Sequence, residues 1–355
     1  MLSLPRYLAI LGLVAAATVG LAWVWAAQMK LAYLDPEYPS WLAKRQLLER
    51  CDLGEVLVVG DSRAAVDIVP ALLGVPATNL AVGGGEAVEA YSAVRRALAC
   101  PTPPRRVVIS LDAGHFVLPD LFWERTVRFG FLDRAELDEV LRTAERLGDA
   151  TIIAPRHPDG LPWRVRALLY SIDFPTVQFA SLLKGGLLLR WVENRAALRA
   201  GIAARGQYFF GTAAGSDAVA AEGNLRAFVP LPVQDHYFRR MLALLAVRGI
   251  AVDFVAMPLN RTTARQVRPA VARDFTAYLA DFTTLYQNFS VVGTVLPDWP
   301  DRYFGDEFAH LNPDGAALFS RRFAACLHAR LAGSDVGCAG GWQVDELARA
   351  LPQPK

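Results

Sequence analysis

Histidine is scarce, five in 355 residues, so imidazole chemistry has few candidates here. Cysteine is as rare, at four, and no Cys-x-x-Cys or His-rich spacing occurs, which removes the usual signatures of a zinc site. Charge is thin as well: 20% of the residues are charged and 53% are hydrophobic, a balance that excludes disorder over most of the length. A net charge of +2 offers no basic field for nucleic acid and no trap for an acidic substrate. No motif calls for a metal or an organic cofactor.

What is present begins with a membrane signal. Residues 7–27, "YLAILGLVAAATVGLAWVWAA", carry no charged side chain and lie between Arg6 and Lys30. At 1.5 Å per residue this run matches the hydrocarbon thickness of a bilayer. A cleaved signal peptide is the competing reading, but the run is too long for one. Trp23 and Trp25 sit where interfacial anchors belong. Charge bias does not orient the span, because Lys44, Arg45 and Arg50 follow it while only Arg6 precedes it. Cysteine placement says more. Cys51 precedes the first expected strand and Cys100 the third, on one edge of a parallel sheet, and Cys326 and Cys338 form a second local pair. That layout favours disulfides 51–100 and 326–338 over four buried thiols, and with them an extracytoplasmic body.

The chain divides into an anchor (1–30), a juxtamembrane connector (31–50) with a short helix over 41–50, a main domain (51–335) and a tail (336–355). Strands are expected at 55–60, 76–82, 106–112, 250–257 and 289–296, with helices at 86–99, 236–248, 265–286 and 313–331. Apolar runs rather than strict alternation indicate an α/β fold with a five-stranded parallel sheet covered on both faces. Residues 116–235 break the pattern and form a helical insertion. Within it "FPTVQFASLLKGGLLLRW", residues 174–191, is apolar, yet Lys184, Arg190 and paired glycines make it a poor span. It reads as subdomain core, as a lid, or as a surface docking on the bilayer or a membrane partner.

In such a sheet, ligands bind beyond the carboxyl ends of the strands, and the chemistry-bearing residues fall there. "VLVVGDSRAA" ends the first strand at Gly60-Asp61-Ser62, with Arg63 next. Ser62 is a candidate nucleophile or, alone, a helix N-cap. "YFGDEFAHLNPDG" follows the last strand and supplies His310 as a base, with Asp306 and Glu307 as candidate orienting acids.

Together these stretches resemble the SGNH (GDSL) hydrolase superfamily over most of residues 51–331 apart from the insertion. The resemblance implies a three-layer, flavodoxin-like α/β/α sandwich. It makes Ser62 the nucleophile and an oxyanion donor through its own N–H. It assigns a second donor to the "NLAVGGG" stretch, at Gly84 or next Gly85, and makes His310 the general base. The family's acid stands three residues before the histidine, at Glu307, with Asp306 adjacent. The third block departs from the pattern. "VVISLDAGHF" offers Asp112, Gly114 and His115 where an asparagine is usual, and Asn260 is the candidate substitute. That block resembles the membrane-anchored branch working beside alginate-type polysaccharide O-acetylation systems. The resemblance implies an O-acetyltransferase in the inner membrane with its body in the periplasm, acting on an exopolysaccharide through an acyl-serine. Its partner would be a multi-spanning membrane acyltransferase or a polysaccharide synthase complex. The alternatives are a carbohydrate acetyl-esterase and a non-catalytic SGNH-like partner.

Overall fold

The computed structural model describes residues 3–118, 121–153, 160–185, 187–335 and 338. The expected tail, Cys338 apart, lies outside the described residues. Five strands, β1 (Val56–Gly60), β2 (Ala77–Asn79), β3 (Arg106–Ser110), β4 (Ala251–Val255) and β5 (Phe289–Val292), form one sheet in the order 2-1-3-4-5, every pair parallel. The chain therefore leaves β1 to one side for β2 and to the other for β3. This reversal opens a crevice beyond the carboxyl end of β1.

Alternate residues of the strands enter two separate cores. Leu57, Val59, Val107 and Ile109 face a phenylalanine-rich cluster with Phe238, Phe254, Phe275 and Phe282, supplied largely by helices Pro232–Val247 and Pro269–Leu285. Val56, Val58 and Val108 face Ala64, Ala65, Phe319 and Phe323 from helices Ser62–Asp67 and Pro313–Leu331. Burial on both faces explains the unbroken apolar strands. β1 ends at Gly60 as expected, whereas β3 stops at Ser110, short of the expected 112, and Asp112 caps the next helix. The helix expected over 265–286 starts four residues later, as Pro269–Leu285, behind a separate helical turn at Arg261–Ala264. Pro269 takes the first helical position and, lacking an N–H, starts a new helix rather than continuing one.

The two disulfides are Cys51–Cys100 and Cys326–Cys338, the pairs favoured by the layout. The insertion contains no strand among its described residues. Its helix Trp191–Ala203 packs on the connector helix Tyr38–Glu49. The apolar N-terminal helix, Leu4–Gln28, is long and hydrophobic enough to cross a bilayer, with mean hydropathy 2.1. Its two tryptophans are not free anchors. Trp23 donates its indole N–H to the Ile172 carbonyl at 2.7 Å and meets Phe174 edge-on, and Trp25 stacks on Tyr33. Both are half-buried, Trp23 held through its indole N–H and Trp25 through its ring face.

Candidate active site

The Gly-Asp-Ser turn has a separate physical job for each residue. Gly60 adopts φ +148, and a Cβ there would lie 1.7 Å from the Ser110 carbonyl oxygen, so only glycine lets β1 pass β3 this closely. Asp61, fully buried, is the N-cap of helix Ser62–Asp67; its Oδ1 accepts from the Arg63 and Ala64 N–H groups. The capping role considered for Ser62 thus belongs to Asp61. Ser62 is the first helical residue, its N–H among the orphan donors of a helix start, and its side chain lines a cavity of about 260 Å³.

Beside it, the end of β3 is tied to the same turn. Asp61 Oδ2 accepts from the Asp112 N–H at 2.7 Å, and Asp112 in turn caps helix Ala113–Val117. His115 Nδ1 lies 2.8 Å from Asp112 Oδ2 and 3.6 Å from Asp61 Oδ2. Burial pushes the His115 imidazole down, but the Asp112 carboxylate outweighs it and lifts the group to about 10. Burial pushes Asp112 up, and His115 with Arg63 outweighs that and holds it well below the carboxylate range. Asp61, buried and facing the Asp112 charge, is pushed up. Asp61, Asp112 and His115 place possible ligand atoms within 4.8 Å of one another. Their capping bonds and mutual pairing already engage these atoms.

Arg63 is buried and lines the same cavity as Ser62. Its guanidinium grips Glu222 of the insertion through two hydrogen bonds of 2.7 Å, and Nη1 stands 3.6 Å from Asp112. Arg63 and Glu222 are both buried, so the charge on helix Ser62–Asp67 is neutralised by a residue 159 positions away. Sequence reasoning passed over Glu222, whose only signal was an acid in a helical patch.

On the far wall, His310 is buried, with Nδ1 2.5 Å from Asp306 Oδ2. Asp306 Oδ1 also accepts from the Phe308 and His310 N–H groups. Burial pushes the Asp306 carboxyl up, and its bond to the His310 side chain outweighs this and keeps it below the usual range. Glu307, where the resemblance implied the acid, is exposed, and the carboxylate on His310 Nδ1 is that of Asp306. The reason is local backbone. The Phe304–Leu311 bridge and Ala309, at φ 60, curl the loop so that the residue four before the histidine meets the ring. The loop is anchored below by buried Asp67, which accepts from the Leu311 N–H at 3.1 Å. His310 Nε2 is buried without a hydrogen-bond partner, and His310 and Ser62 line the same cavity.

Gly84 also lines it, at φ +67. Its N–H has no hydrogen-bond partner among the described residues, whereas the Gly85 N–H is taken by the Val82 carbonyl at 2.9 Å. Of the two glycines, then, only Gly84 has a donor to offer. Asn260 is not in the cavity wall. Fully buried, it caps helix Arg261–Ala264 and donates to the Ser216 and Ala218 carbonyls, so its amide is spent on holding the insertion.

Several cavity residues carried no sequence signal, because they converge from remote segments. Phe210 stacks on the His310 ring at 4.7 Å, fixing its plane. Glu37, from the connector, lies 2.8 Å from Arg125 Nε of the insertion. Burial pushes Glu37 up to about 7, against the pull of Arg125. Leu118, Leu121 and Phe308 complete an apolar rim. One cavity thus brings together a serine at a helix start, an imidazole oriented by a carboxylate, and a glycine N–H, the kinds of group that serine acyl chemistry uses.

No family model matches the chain, and neither a curated protein nor a solved structure matches it.

Proposed function

We propose that this chain is a membrane-anchored, extracytoplasmic serine acyl-ester enzyme of the SGNH type, a three-layer α/β/α domain that transfers acetyl groups to a polysaccharide. The observation that carries the reading is His310. Its Nδ1 is held by Asp306 while its buried, unpartnered Nε2 and Ser62 line one cavity. A proton on Nδ1 leaves Nε2 as the base.

In the first half-reaction Nε2 takes the Ser62 hydroxyl proton as Oγ attacks the acetyl carbonyl carbon. The N–H groups of Ser62 and Gly84 receive the oxyanion. Collapse breaks the ester bond, the leaving alcohol takes the proton from Nε2, and an acetyl-serine remains. A sugar hydroxyl, deprotonated by Nε2, then attacks that ester; the acyl–Oγ bond breaks, Nε2 returns the proton to Ser62 Oγ, and the sugar carries the acetyl group away. Water in its place makes the enzyme an esterase. The apolar span and the two disulfides support an inner-membrane, single-pass topology with the body in the periplasm. A membrane acyltransferase or a polysaccharide synthase complex would supply the acyl donor or the acceptor.

One observation favours a non-catalytic partner instead. The stretch after the third strand lacks the usual asparagine and Asn260 is engaged elsewhere, a loss worth roughly 3 kcal/mol of transition-state stabilisation. Incubating the full chain in detergent with p-nitrophenyl acetate and neutral or acidic oligosaccharides separates the readings. Acetylated oligosaccharide is expected. Free acetate alone marks an esterase, and neither product marks a non-catalytic partner.

A further inference from the structure

The end of the N-terminal helix is built into the insertion. Body contacts begin at Trp23, through the Ile172 carbonyl and Phe174, and continue with Ala26, which is buried, and with Lys30, paired to Asp173 at 2.7 Å. The 19 residues before Trp23 span about 28 Å of helix, close to the thickness of a hydrocarbon core. The body therefore meets the helix at the depth where a bilayer would end. Just beyond, the 3-10 turn Leu187–Arg190 packs on the short helix Lys30–Tyr33. Asn194 donates to the Leu31 and Leu34 carbonyls at 3.0 Å each, fixing the start of helix Trp191–Ala203 to the same few residues.

That corner exposes what a soluble surface avoids. Leu189 is 78% exposed and Val192 73%, three residues apart, on either side of Trp191, and Arg195 lies over the Trp191 ring. Arg190, Arg195 and Arg199 supply cationic heads, against Glu193 alone. Apolar side chains, a tryptophan and arginines are the composition of a segment seated in the headgroup layer. The other large exposed apolar residues beyond the anchor include Val247 and Leu285, which lie on separate helices as single side chains.

We infer that residues 187–199 form a membrane-contact seat, with Leu189 and Val192 entering the headgroup–acyl boundary and the arginines on anionic lipid headgroups. This rests on the anchor reading above. The seat fixes the body to the bilayer at a second point, so that the domain cannot swing freely on one helix. The connector continues from this corner to Glu37 in the cavity wall, which places the site in a set relation to the lipid surface.

The test uses the full chain in lipid nanodiscs containing anionic lipid. The four native cysteines are paired, so a single added cysteine takes an environment-sensitive nitrobenzoxadiazole label. Val192→Cys is expected to lose most of its emission to lipids spin-labelled near the headgroup. Val14→Cys, in the span, is expected to be quenched by deep spin labels, and Val247→Cys, 84% exposed on the body, to show the weak emission of a probe in water, unchanged by either spin-labelled lipid. A Val192 probe that no spin-labelled lipid quenches beside a quenched Val14 probe overturns the seat and leaves the anchor, the result expected if this corner docks a protein. A Val14 probe that none quenches overturns both.

Discussion

Replacing Asp306 by asparagine isolates the orientation of His310 from the folding of its loop. Asparagine keeps an oxygen for the Phe308 and His310 backbone N–H groups, bonds of 3.0 and 3.2 Å, so the loop loses about 1 kcal/mol or less. At the other oxygen the acceptor facing His310 Nδ1 becomes an amide donor. The imidazole must then carry its proton on Nε2, the nitrogen that has to accept from Ser62. In serine triads that tautomer costs about 10⁴ in rate, or about 5.4 kcal/mol at the transition state. Glu307→Gln is the paired control, since Glu307 is exposed and Asp306 holds the ring. Turnover of p-nitrophenyl acetate by full-length protein in detergent is the assay, with thermal melts to show that both variants fold. The expected result is near-complete loss for Asp306→Asn and an unchanged rate for Glu307→Gln. Equal losses, or an Asp306→Asn enzyme that keeps its rate, refute the assignment of the acid.

Glu222→Leu strands the buried Arg63 guanidinium and is expected to cost about 3–5 kcal/mol in denaturant unfolding. Adding Arg63→Met is expected to restore most of it; a single variant as stable as wild type contradicts the pair. Gly84→Ala forces a Cβ into left-handed backbone 2.6 Å from Leu121 Cδ1. It should lose about 1–2 kcal/mol of stability and also slow acyl turnover, whereas a loss of stability without slower turnover removes Gly84 from the oxyanion site. His115, lifted to about 10 from near 6.5, contributes stability that is complete below 6.5 and fades as pH rises through 10, at most about 1.4 kcal/mol per pH unit. Lys44, lowered to about 7 by burial, works in the opposite sense over the same range. The readout is therefore the difference between wild type and His115→Gln in unfolding free energy, expected to narrow from pH 6.5 to 10. The Cys51–Cys100 bridge closes 49 residues, so its double serine variant should lose about 4 kcal/mol by chain entropy.

The sheet was legible because its strands are apolar on both faces and end at glycine- or aspartate-marked turns. The meeting of Ser62 and His310 in one cavity was legible because the ends of parallel strands share an edge. The choice between Asp306 and Glu307 was not, since it depends on a left-handed residue at Ala309 and a bridge between Phe304 and Leu311 that no local pattern announces. Nor were Glu37, Arg125, Phe210 and Glu222, which reach the site from the connector and the insertion by tertiary packing alone. The same packing claimed Trp23 and Trp25, whose spacing in the sequence suits a membrane interface equally well.

The central claim is that Ser62 is a nucleophile activated by His310. Its most direct test is covalent labelling of the purified full chain by a fluorophosphonate, read by intact mass and by mapping the modified peptide. One adduct on Ser62 is predicted, absent in Ser62→Ala and strongly slowed in His310→Ala. A folded wild-type protein that takes no label, or takes it equally after Ser62→Ala, contradicts the account.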